Sequence, residues 1–328
     1  MRDPSSKERV RTLPGVRIGH ASDFRGLTGC TVILCEAGGV CGVDVRGSAA
    51  STRELAPCLP GHLVDRVHAI FLAGGSAFGL DAAAGVMHYL EARGVGFPAG
   101  RIRVPIVPGA VIFDLNLGSA KARPDHGMAL WACRKATPFV AEGSVGVGTG
   151  ATVGKLFGID QATKGGVGFA ARALTSGVVV QALAAVNAFG DVVDPKTGHV
   201  IAGARASQDA AQFVGTAEQM FQGKVRKAFG DPNTTLVVVM TNAALSRIEA
   251  TKVAQMAQDG MARAICPAHT QFDGDTVFAL SLGQRRADLN TLGTAAAEVT
   301  AEAIVRAVKI PRGMGGVPSW SELAGATP

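Results

Sequence analysis

The stretch DPNTTLVVVMTNAALSR, residues 231–247, joins a polar connection to an apolar run and then to the start of a helix. The run TLVVVMT predicts a buried strand, and Ser246 with Glu249 forms the capping-box pattern of a following helix. TVFALSL at 276–282 predicts a second strand, and residues 289–308 predict a second amphipathic helix. The C-terminal part of the chain is therefore predicted as β-α-β-α.

Upstream of this stretch, strand and helix patterns continue without a clear boundary. VHAIFLAGG at 67–75 predicts a buried strand that ends in glycines and leads into a helix. We expect TVILCEAGGVCGVDV at 31–45 to form a hairpin around its Gly-Gly pair, and VVVQALAAVNAFGDVVD at 178–194 to form a pair of strands. Apolar strands lie on both sides of every candidate linker, so we predict one domain with an α+β fold of sheets covered by helices.

Composition excludes several classes of protein. The chain has 328 residues, of which 47% are hydrophobic, and its 43 glycines and 15 prolines stay below the roughly 25–30% share that is typical of disordered chains. No stretch approaches the ~18 apolar residues of a membrane span, and the N-terminus shows no secretory signal, so we expect a cytoplasmic protein without a membrane partner. The net charge is +6, but the basic residues lie in short separate groups without aromatic neighbours, which argues against a nucleic-acid partner.

Motifs for metals and cofactors are also missing from the sequence. The seven histidines form no metal-binding pattern and the six cysteines form no CxxC pair, so we predict neither a metal site nor a disulfide scaffold. TGATVGKL at 149–156 approaches a phosphate-binding loop, but Thr149 replaces the first glycine, and Leu156 stands where a magnesium-binding hydroxyl is required. We therefore expect no cofactor.

Thr234 stands where the polar connection meets the buried strand, directly after Asn233. If the Thr234 hydroxyl attacked the preceding carbonyl and broke this bond, the new α-amine, with an ordinary pKa of about 7.7–8.0, could serve as its general base. FDGDTVFAL places Asp273 and Asp275 at the start of the next strand, close to Thr234 if the two strands pair. Spacing alone also allows a simpler interpretation, in which Pro-Asn and Asp-Gly-Asp are only turns.

Six blocks of the sequence carry a resemblance to a known family. The blocks are LAGGSAFGLDAAAGVM (72–87), VPGAVIFDL (107–115), GVGTGATVGKL (146–156), AVNAFGDVVD (185–194), NTTLVVVMTNAAL (233–245) and DGDTVFALSLG (273–283). In this order they resemble the D-aminopeptidase and β-peptidyl aminopeptidase family, and within it the endo-type nylon-oligomer hydrolases. The resemblance covers almost the whole chain.

This resemblance implies a four-layer αββα sandwich, made as a single-domain precursor of residues 1–328. Self-cleavage between Asn233 and Thr234 would give a long chain, 1–233, and a short chain, 234–328, that stay associated. The resemblance also implies a site, with Thr234 as nucleophile, Asp273 and Asp275 as the acidic pair that orients it, Asn187 as amide donor to the oxyanion, and Lys155 beside the nucleophile.

Two features of the chain depart from the wider family. The aminopeptidases cleave after Gly and use Ser, whereas this chain has Asn233 and Thr234, as in the nylon-hydrolase branch. Phe113 stands where related active enzymes carry a tyrosine that touches the active site, so we expect it beside the substrate. The implied substrates are short peptides or oligoamides, no cofactor is implied, and the implied assembly is a homo-oligomer, commonly a tetramer of processed pairs.

Two other functions stay open at the level of the sequence. One is acyl transfer, because the fold and self-cleavage of the family resemble those of ornithine acetyltransferases. The other is a non-catalytic binding protein that retains the fold, in which the chain stays whole and Thr234 is an ordinary strand residue.

Overall fold

The computed structural model describes residues 10–224 and 232–325. Most of the polar connection expected before Thr234 therefore lies outside the described residues. The strands are β1 (Arg17–Asp23), β2 (Thr28–Val45), β3 (Thr52–Arg53), β4 (Val67–Ala73), β5 (Phe97–Ala99), β6 (Ile102–Val104), β7 (Gly109–Val111), β8 (Thr152–Val153), β9 (Thr163–Lys164), β10 (Gly166–Ala173), β11 (Val179–Asn187), β12 (Asp191–Val193), β13 (Val200–Ala202), β14 (Thr234–Ala243), β15 (Ile265–Cys266) and β16 (Thr276–Arg285). The helices are α1 (Ala83–Glu91), α2 (His126–Lys135), α3 (Thr216–Phe221), α4 (Arg247–Ala264), α5 (Leu289–Lys309) and α6 (Trp320–Ala324).

A large sheet organises the molecule, in the order β10-β11-β14-β16-β2-β4-β7-β3, with β1 also paired to β2. The long strand β2 belongs to both halves of this sheet. Its first part pairs antiparallel with β4, and its last residues, 40–45, pair antiparallel with β16. At the centre of the other half, β14 pairs antiparallel with β11 and parallel with β16.

Side chains alternate across each strand, and this alternation separates a central core from an outer one. Along β14, Leu236 and Val238 face the central core. Val237 and Val239 face the opposite way and belong to the cluster that includes residues of α4 and α5. This half of the sheet is therefore covered by two long helices on one face only.

The other half of the sheet repeats this arrangement on the far side of the central core. Ile70 and Leu72 of β4 face the central core, and Ala69 and Phe71 face the cluster that includes residues of α1 and α2. The layers are thus helix, sheet, sheet and helix. This order confirms the predicted four-layer αββα sandwich.

The C-terminal elements follow the sequence prediction closely. The Ser246 hydroxyl accepts from the backbone N–H of Glu249 while the Glu249 side chain reaches back to the backbone of Ser246, so the predicted capping box begins α4. The helices α4 and α5 then pack against each other and against the sheet. Within the described residues, no helix is long and apolar enough to cross a membrane.

Two expectations for the strands are wrong. The stretch 31–45 does not form a hairpin, because β2 runs through Gly38 and Gly39. Gly38 adopts φ +82°, and the register between β2 and β4 shifts between Leu34 and Gly39, so the glycines accommodate an irregularity within one strand. The stretch 178–194 does not form a strand pair either, because β11 lies in the large sheet whereas β12 pairs with β13 and β15.

Candidate active site

Thr234 is the first residue of β14 and lies almost fully buried, with 4% of its surface exposed. It shares the strand face of Leu236 and Val238, so its side chain lies on the side of the central core. The Thr234 hydroxyl donates a hydrogen bond to the carbonyl oxygen of Asn233. The candidate nucleophile is therefore already in contact with the peptide group that it is expected to attack.

The peptide group before Thr234 is held from the other side by the Asp-Gly-Asp turn. The backbone N–H of Gly274 donates to the carbonyl oxygen of Asn233 at 2.7 Å, and the N–H of Asn233 donates to the carbonyl oxygen of Phe272 at 2.8 Å. A Cβ atom at position 274 would lie 2.8 Å from Thr234 Oγ1 and 2.9 Å from the Cα atom of Ala50. Only glycine therefore allows this close approach without a shift of the backbone.

Asp275 holds the residue that follows the candidate nucleophile. The parallel pairing of β14 with β16 places Leu236 beside Thr276, which brings the start of both strands together. One carboxylate oxygen of Asp275 accepts from the backbone N–H of Thr235 at 2.7 Å. The other accepts from the backbone N–H and from Nδ1 of His269, at 3.1 and 2.8 Å.

Asp273 is tied to different groups. Its Oδ1 accepts from the backbone N–H of Phe189 at 3.1 Å, and its Oδ2 accepts from the N–H and hydroxyl of Thr270 at 3.1 and 2.5 Å. Burial, together with the charge of Asp275, raises the pKa of Asp273 to about 6. Among the described residues, neither carboxylate makes a hydrogen bond to the hydroxyl of Thr234. Asp275 instead binds the backbone next to Thr234, and Asp273 binds the backbone of Phe189 and Thr270.

Asn187 lies at the end of β11, directly paired with Thr234 in the antiparallel ladder. Its side-chain oxygen accepts from Nζ of Lys155 at 2.8 Å and from the backbone N–H of Thr152 at 3.0 Å. Its Nδ2 donates to the carbonyl oxygen of Phe113 at 3.0 Å. These contacts fix the orientation of the amide, with its oxygen on the lysine and its nitrogen on the opposite side.

A narrow crevice adjoins this arrangement. Its walls include Phe113 and Lys155 as well as Pro232, which precedes the candidate cleavage site. The remaining wall residues are Asp114, Asn116, Leu117, Gly150, Thr152 and Ile159. The crevice therefore reaches the candidate site from the side of the glycine-rich loop.

The structure brings all the residues predicted for the site to one place, at the ends of β11, β14 and β16. The members of this group are Phe113, Lys155, Asn187, Asn233, Thr234, Asp273 and Asp275. Asn233 and Thr234 form its centre, with Gly274 and Thr235 as backbone contacts to the acidic turn. The simpler interpretation, in which Asp-Gly-Asp is only a turn, leaves this convergence unexplained.

Sequence analysis missed a pair of buried charges behind the site. Lys164 is completely buried, and its Nζ donates to the carbonyl oxygens of Gly148, Ala151 and Gly165 at 2.9, 2.7 and 2.6 Å. Burial lowers the pKa of Lys164 to about 7; the charge of Asp114 opposes this shift and that of Lys155 adds to it. Lys164 thus holds the glycine-rich loop that carries Lys155.

Asp114 is the acidic member of this pair. It accepts from the Thr28 hydroxyl and from the backbone N–H of Gly75, both at 2.7 Å. Burial raises the pKa of Asp114 to about 6. Its position inside the VIFDL block was a signal that could have found it, whereas the KGG sequence at 164–166 looks like a surface lysine before a turn.

His269 and Thr270 were also missed. They precede the Asp-Gly-Asp turn, and each binds one of its carboxylates. The only signal in the sequence was their closeness to that turn. Nothing in the pattern AHT at 268–270 showed that the two side chains point at different acids.

The fold has known counterparts among solved structures. The chain is similar to the L-aminopeptidase D-Ala-esterase/amidase from Ochrobactrum anthropi, which is described as a variant of the Ntn hydrolase fold. The TM-score is 0.71 at 18% sequence identity, over 93% of this chain and 87% of that chain. This protein therefore has the Ntn hydrolase fold.

The sequence identifies the family within this class. Residues 9–319 match the model of peptidase family S58, and the chain belongs to this family. It is 41% identical to an uncharacterized aminopeptidase of Mycobacterium tuberculosis, over 96% of this chain and 97% of the relative. It is 33% identical to a 6-aminohexanoate-oligomer endohydrolase of Agromyces sp., over 93% of this chain and 87% of the relative. The protein is a hydrolase of amide or peptide bonds, which confirms the predicted family and reaction class.

Proposed function

We propose that this protein is a self-processing amide hydrolase that acts through an acyl-enzyme on Thr234. The observation that carries the proposal is the geometry of one carbonyl group. The carbonyl oxygen of Asn233 accepts both the hydroxyl of Thr234 and the backbone N–H of Gly274. A nucleophile and an oxyanion donor therefore meet at the bond that the family resemblance selects for cleavage.

Self-cleavage begins when Thr234 Oγ1 attacks the carbonyl carbon of Asn233 and loses its proton. The carbonyl oxygen becomes an oxyanion, which the Gly274 N–H stabilises. The C–N bond then breaks, its nitrogen takes up the proton, and Asn233 is left as an ester on Thr234. Water hydrolyses this ester, which gives a carboxylate at Asn233 and a free α-amine at Thr234.

Turnover of a substrate repeats the same steps with a different carbonyl group. The α-amine of Thr234 takes the hydroxyl proton, and the substrate carbonyl occupies the position that Asn233 has left. The Gly274 N–H and Nδ2 of Asn187 donate hydrogen bonds to the oxyanion. One such donor lowers the activation free energy by about 3 kcal/mol. The leaving amine takes the proton, and water releases the acyl group from Thr234.

The charged groups around Thr234 have separate roles in this proposal. Asp273 and Asp275 stabilise the positive charge that develops on the α-amine when it takes the proton. Lys155 adds positive charge near the oxyanion, and its contact with Asn187 keeps the amide nitrogen turned away from the lysine. The cation also favours a neutral α-amine, which is the form that works as a base.

Short peptides or oligoamides are the proposed substrates. The crevice beside Thr234 is small and has both an apolar residue, Phe113, and a cation, Lys155, in its wall. The relatives named as an aminopeptidase and a 6-aminohexanoate-oligomer endohydrolase support this class of substrate. Phe113 lacks the hydroxyl of a tyrosine, so we expect it to contact the substrate through its ring alone.

The proposal is tested by the intact mass and the N-terminal sequences of the purified protein. Thr234→Ala serves as the inactive variant and Thr234→Ser as the matched control that keeps a hydroxyl. We expect two chains in the wild type, one of which begins at Thr234, and a single chain in Thr234→Ala. A stable uncut wild type would contradict self-cleavage, and cleavage in Thr234→Ala would contradict the role of the hydroxyl.

Hydrolysis is then measured with short peptide amides and ω-amino-acid oligomers. Transfer of the acyl group to an added amine in preference to water would instead support the ornithine acetyltransferase type of reaction. The named relatives are hydrolases, so they give no comparable support to that alternative or to a non-catalytic role. The cytoplasmic location and the tetramer of processed pairs stay predictions, which fractionation of cells and light scattering can check.

A further inference from the structure

His269 lies in the loop between β15 and β16 and has an unusual backbone conformation. Its φ is +57°, in the left-handed region, which few residues other than glycine adopt, although asparagine, aspartate and histidine do so more often than the rest. Its side chain is 18% exposed. A conformation of this kind persists only where surrounding contacts hold it, and such residues cluster at functional sites.

Within the part of the chain that the structure describes, the hydrogen bonds of the His269 side chain and N–H go to Asp275. The backbone N–H of His269 and its Nδ1 both bind the same carboxylate oxygen, at 3.1 and 2.8 Å. Because that oxygen is an acceptor, Nδ1 carries the hydrogen and donates it. Nε2 is buried, and it has no hydrogen-bond partner among the described residues.

Asp275 connects His269 to the nucleophile. Its second oxygen accepts the backbone N–H of Thr235 at 2.7 Å, and Thr235 is bonded directly to Thr234. The imidazole therefore fixes the carboxylate, and the carboxylate fixes the first peptide group of β14. The neighbouring residue, Thr270, binds Asp273 in the same way, so two successive residues each hold one of the two acids.

We propose that His269 is a positioning residue, whose Nδ1–H holds Asp275 on the Thr235 N–H and thereby keeps the Thr234 hydroxyl against the Asn233 carbonyl. This inference rests on the proposed self-cleavage, which it deepens by naming the group that orients the acid. The imidazole does not touch the reacting atoms. The imidazole affects the reacting atoms only through Asp275, so His269 is not a general base.

Three variants at one position separate the hydrogen bond from the shape of the loop. His269→Asn and His269→Asp have similar size and both tolerate a positive φ, but only asparagine carries an N–H donor. His269→Gly removes the side chain and adopts the same backbone conformation freely. All three chains are made with the wild-type Thr234, and self-cleavage is followed over time by intact mass.

We expect cleavage of His269→Gly to be slower than wild type by roughly 10- to 100-fold, which is the range for loss of one hydrogen bond to a charged group. His269→Asp should be slower still, because its carboxylate faces Asp275. His269→Asn should cleave within about 5-fold of the wild type, because it restores the donor. Circular dichroism and thermal unfolding check that each chain is folded, and the Asn and Asp pair carries the test if the glycine variant does not fold.

The possible failures point to different conclusions. If the wild type cleaves, and His269→Gly and His269→Asp both cleave as fast as the wild type, the inference is overturned while the proposed function stands. If His269→Asn is as slow as His269→Asp, the imidazole acts through its shape and the inference is again overturned. A wild type that never cleaves overturns the proposed function, and this inference with it.

Discussion

Asn187 lies directly opposite Thr234 in the antiparallel ladder between β11 and β14. The amide and the hydroxyl are thus positioned by the same set of backbone hydrogen bonds. Because side chains alternate along a strand, a register slip of one residue would turn Asn187 to the other face of the sheet. The geometry of the candidate site therefore depends on the register of two buried strands more than on any flexible loop.

Replacement of Asn187 by aspartate tests the oxyanion donor. The side chain keeps its size and its contact with Lys155, but it loses the Nδ2 hydrogens. We expect kcat on a peptide amide to fall by about 100- to 1000-fold, as when one oxyanion donor is removed from an enzyme. Steady-state kinetics and thermal unfolding are measured side by side, and a folded variant with wild-type kcat would remove Asn187 from the mechanism.

Gly274→Ala tests the close approach of the acidic turn to the nucleophile. The added Cβ would lie 2.8 Å from Thr234 Oγ1, so the hydroxyl or the turn must move. We expect self-cleavage to slow by at least about 10-fold, since a displacement of this kind in an active site costs up to about 100-fold.

A matched control for that variant is Gly127→Ala in α2, where the nearest atom to the new Cβ is 3.4 Å away. Self-cleavage of the control should match the wild type. Equal cleavage rates in the two alanine variants would contradict this prediction, because they would show that the turn accommodates the added Cβ without moving the hydroxyl.

The pKa of Asp273 predicts an acidic limit for turnover. Burial and the charge of Asp275 raise this pKa from 3.8 to about 6, so at pH 5 only about a tenth of Asp273 is ionised. The proposal needs the ionised form, so below about pH 6 kcat should fall more steeply than protonation of the Thr234 α-amine alone would cause. The pH profile is measured from 4.5 to 8, with Asp273→Asn as the control that lacks this step. A wild-type profile with the same shape as that of folded Asp273→Asn would contradict a role for the Asp273 charge.

Lys164→Met tests the cation behind the glycine-rich loop. The change leaves the carbonyl oxygens of Gly148, Ala151 and Gly165 without their donor. Unsatisfied buried groups cost about 1–3 kcal/mol each, so we expect a loss of at least about 2 kcal/mol in the free energy of unfolding at pH 7. Lys196→Met, at an exposed position, should change it by less than about 0.5 kcal/mol in urea titrations.

The same lysine gives the stability a defined pH dependence. Its pKa is about 7 in the folded protein and 10.5 in the unfolded chain, so between these values the unfolded chain binds more protons. The contribution of Lys164 to the free energy of unfolding therefore rises from pH 7 towards 10.5. The difference between wild type and Lys164→Met should widen over this window, and a constant difference would show that Lys164 keeps an ordinary pKa.

Local patterns in the sequence predicted much of the C-terminal fold. The capping box at Ser246 and the apolar runs of β14 and β16 depend on neighbours in the chain, which the sequence displays directly. The approach of Asp273 and Asp275 to Thr234 followed from one assumption, that these two strands pair. The hairpin expected at Gly38 failed because a positive-φ glycine suits a strand irregularity as well as a turn.

The missed parts of the site depend on distant contacts. Lys164 is buried only because three separate carbonyl groups of the folded loop surround its Nζ, and no local pattern encodes that. The orientation of Asn187 likewise depends on Lys155 and Phe113, which are remote in sequence. The family resemblance pointed to Asn187, Lys155 and Phe113 but not to Lys164, and only the structure supplied the partners of all four.

The position of β14 and β16 in the sheet bears on the physical state of a cleaved molecule. The two strands lie side by side, with β11 on one flank and β2 on the other, and both flanking strands precede the cleavage site. After a cut at Asn233, β14 and β16 of the short chain would stay hydrogen-bonded to β11 and β2 of the long chain. Dissociation of the two chains would require both the β11–β14 and the β16–β2 pairings to break. Reassembly would then be a bimolecular reaction between the two chains. We therefore expect a nicked protein that is kinetically trapped, and whose recovery from denaturant depends on protein concentration.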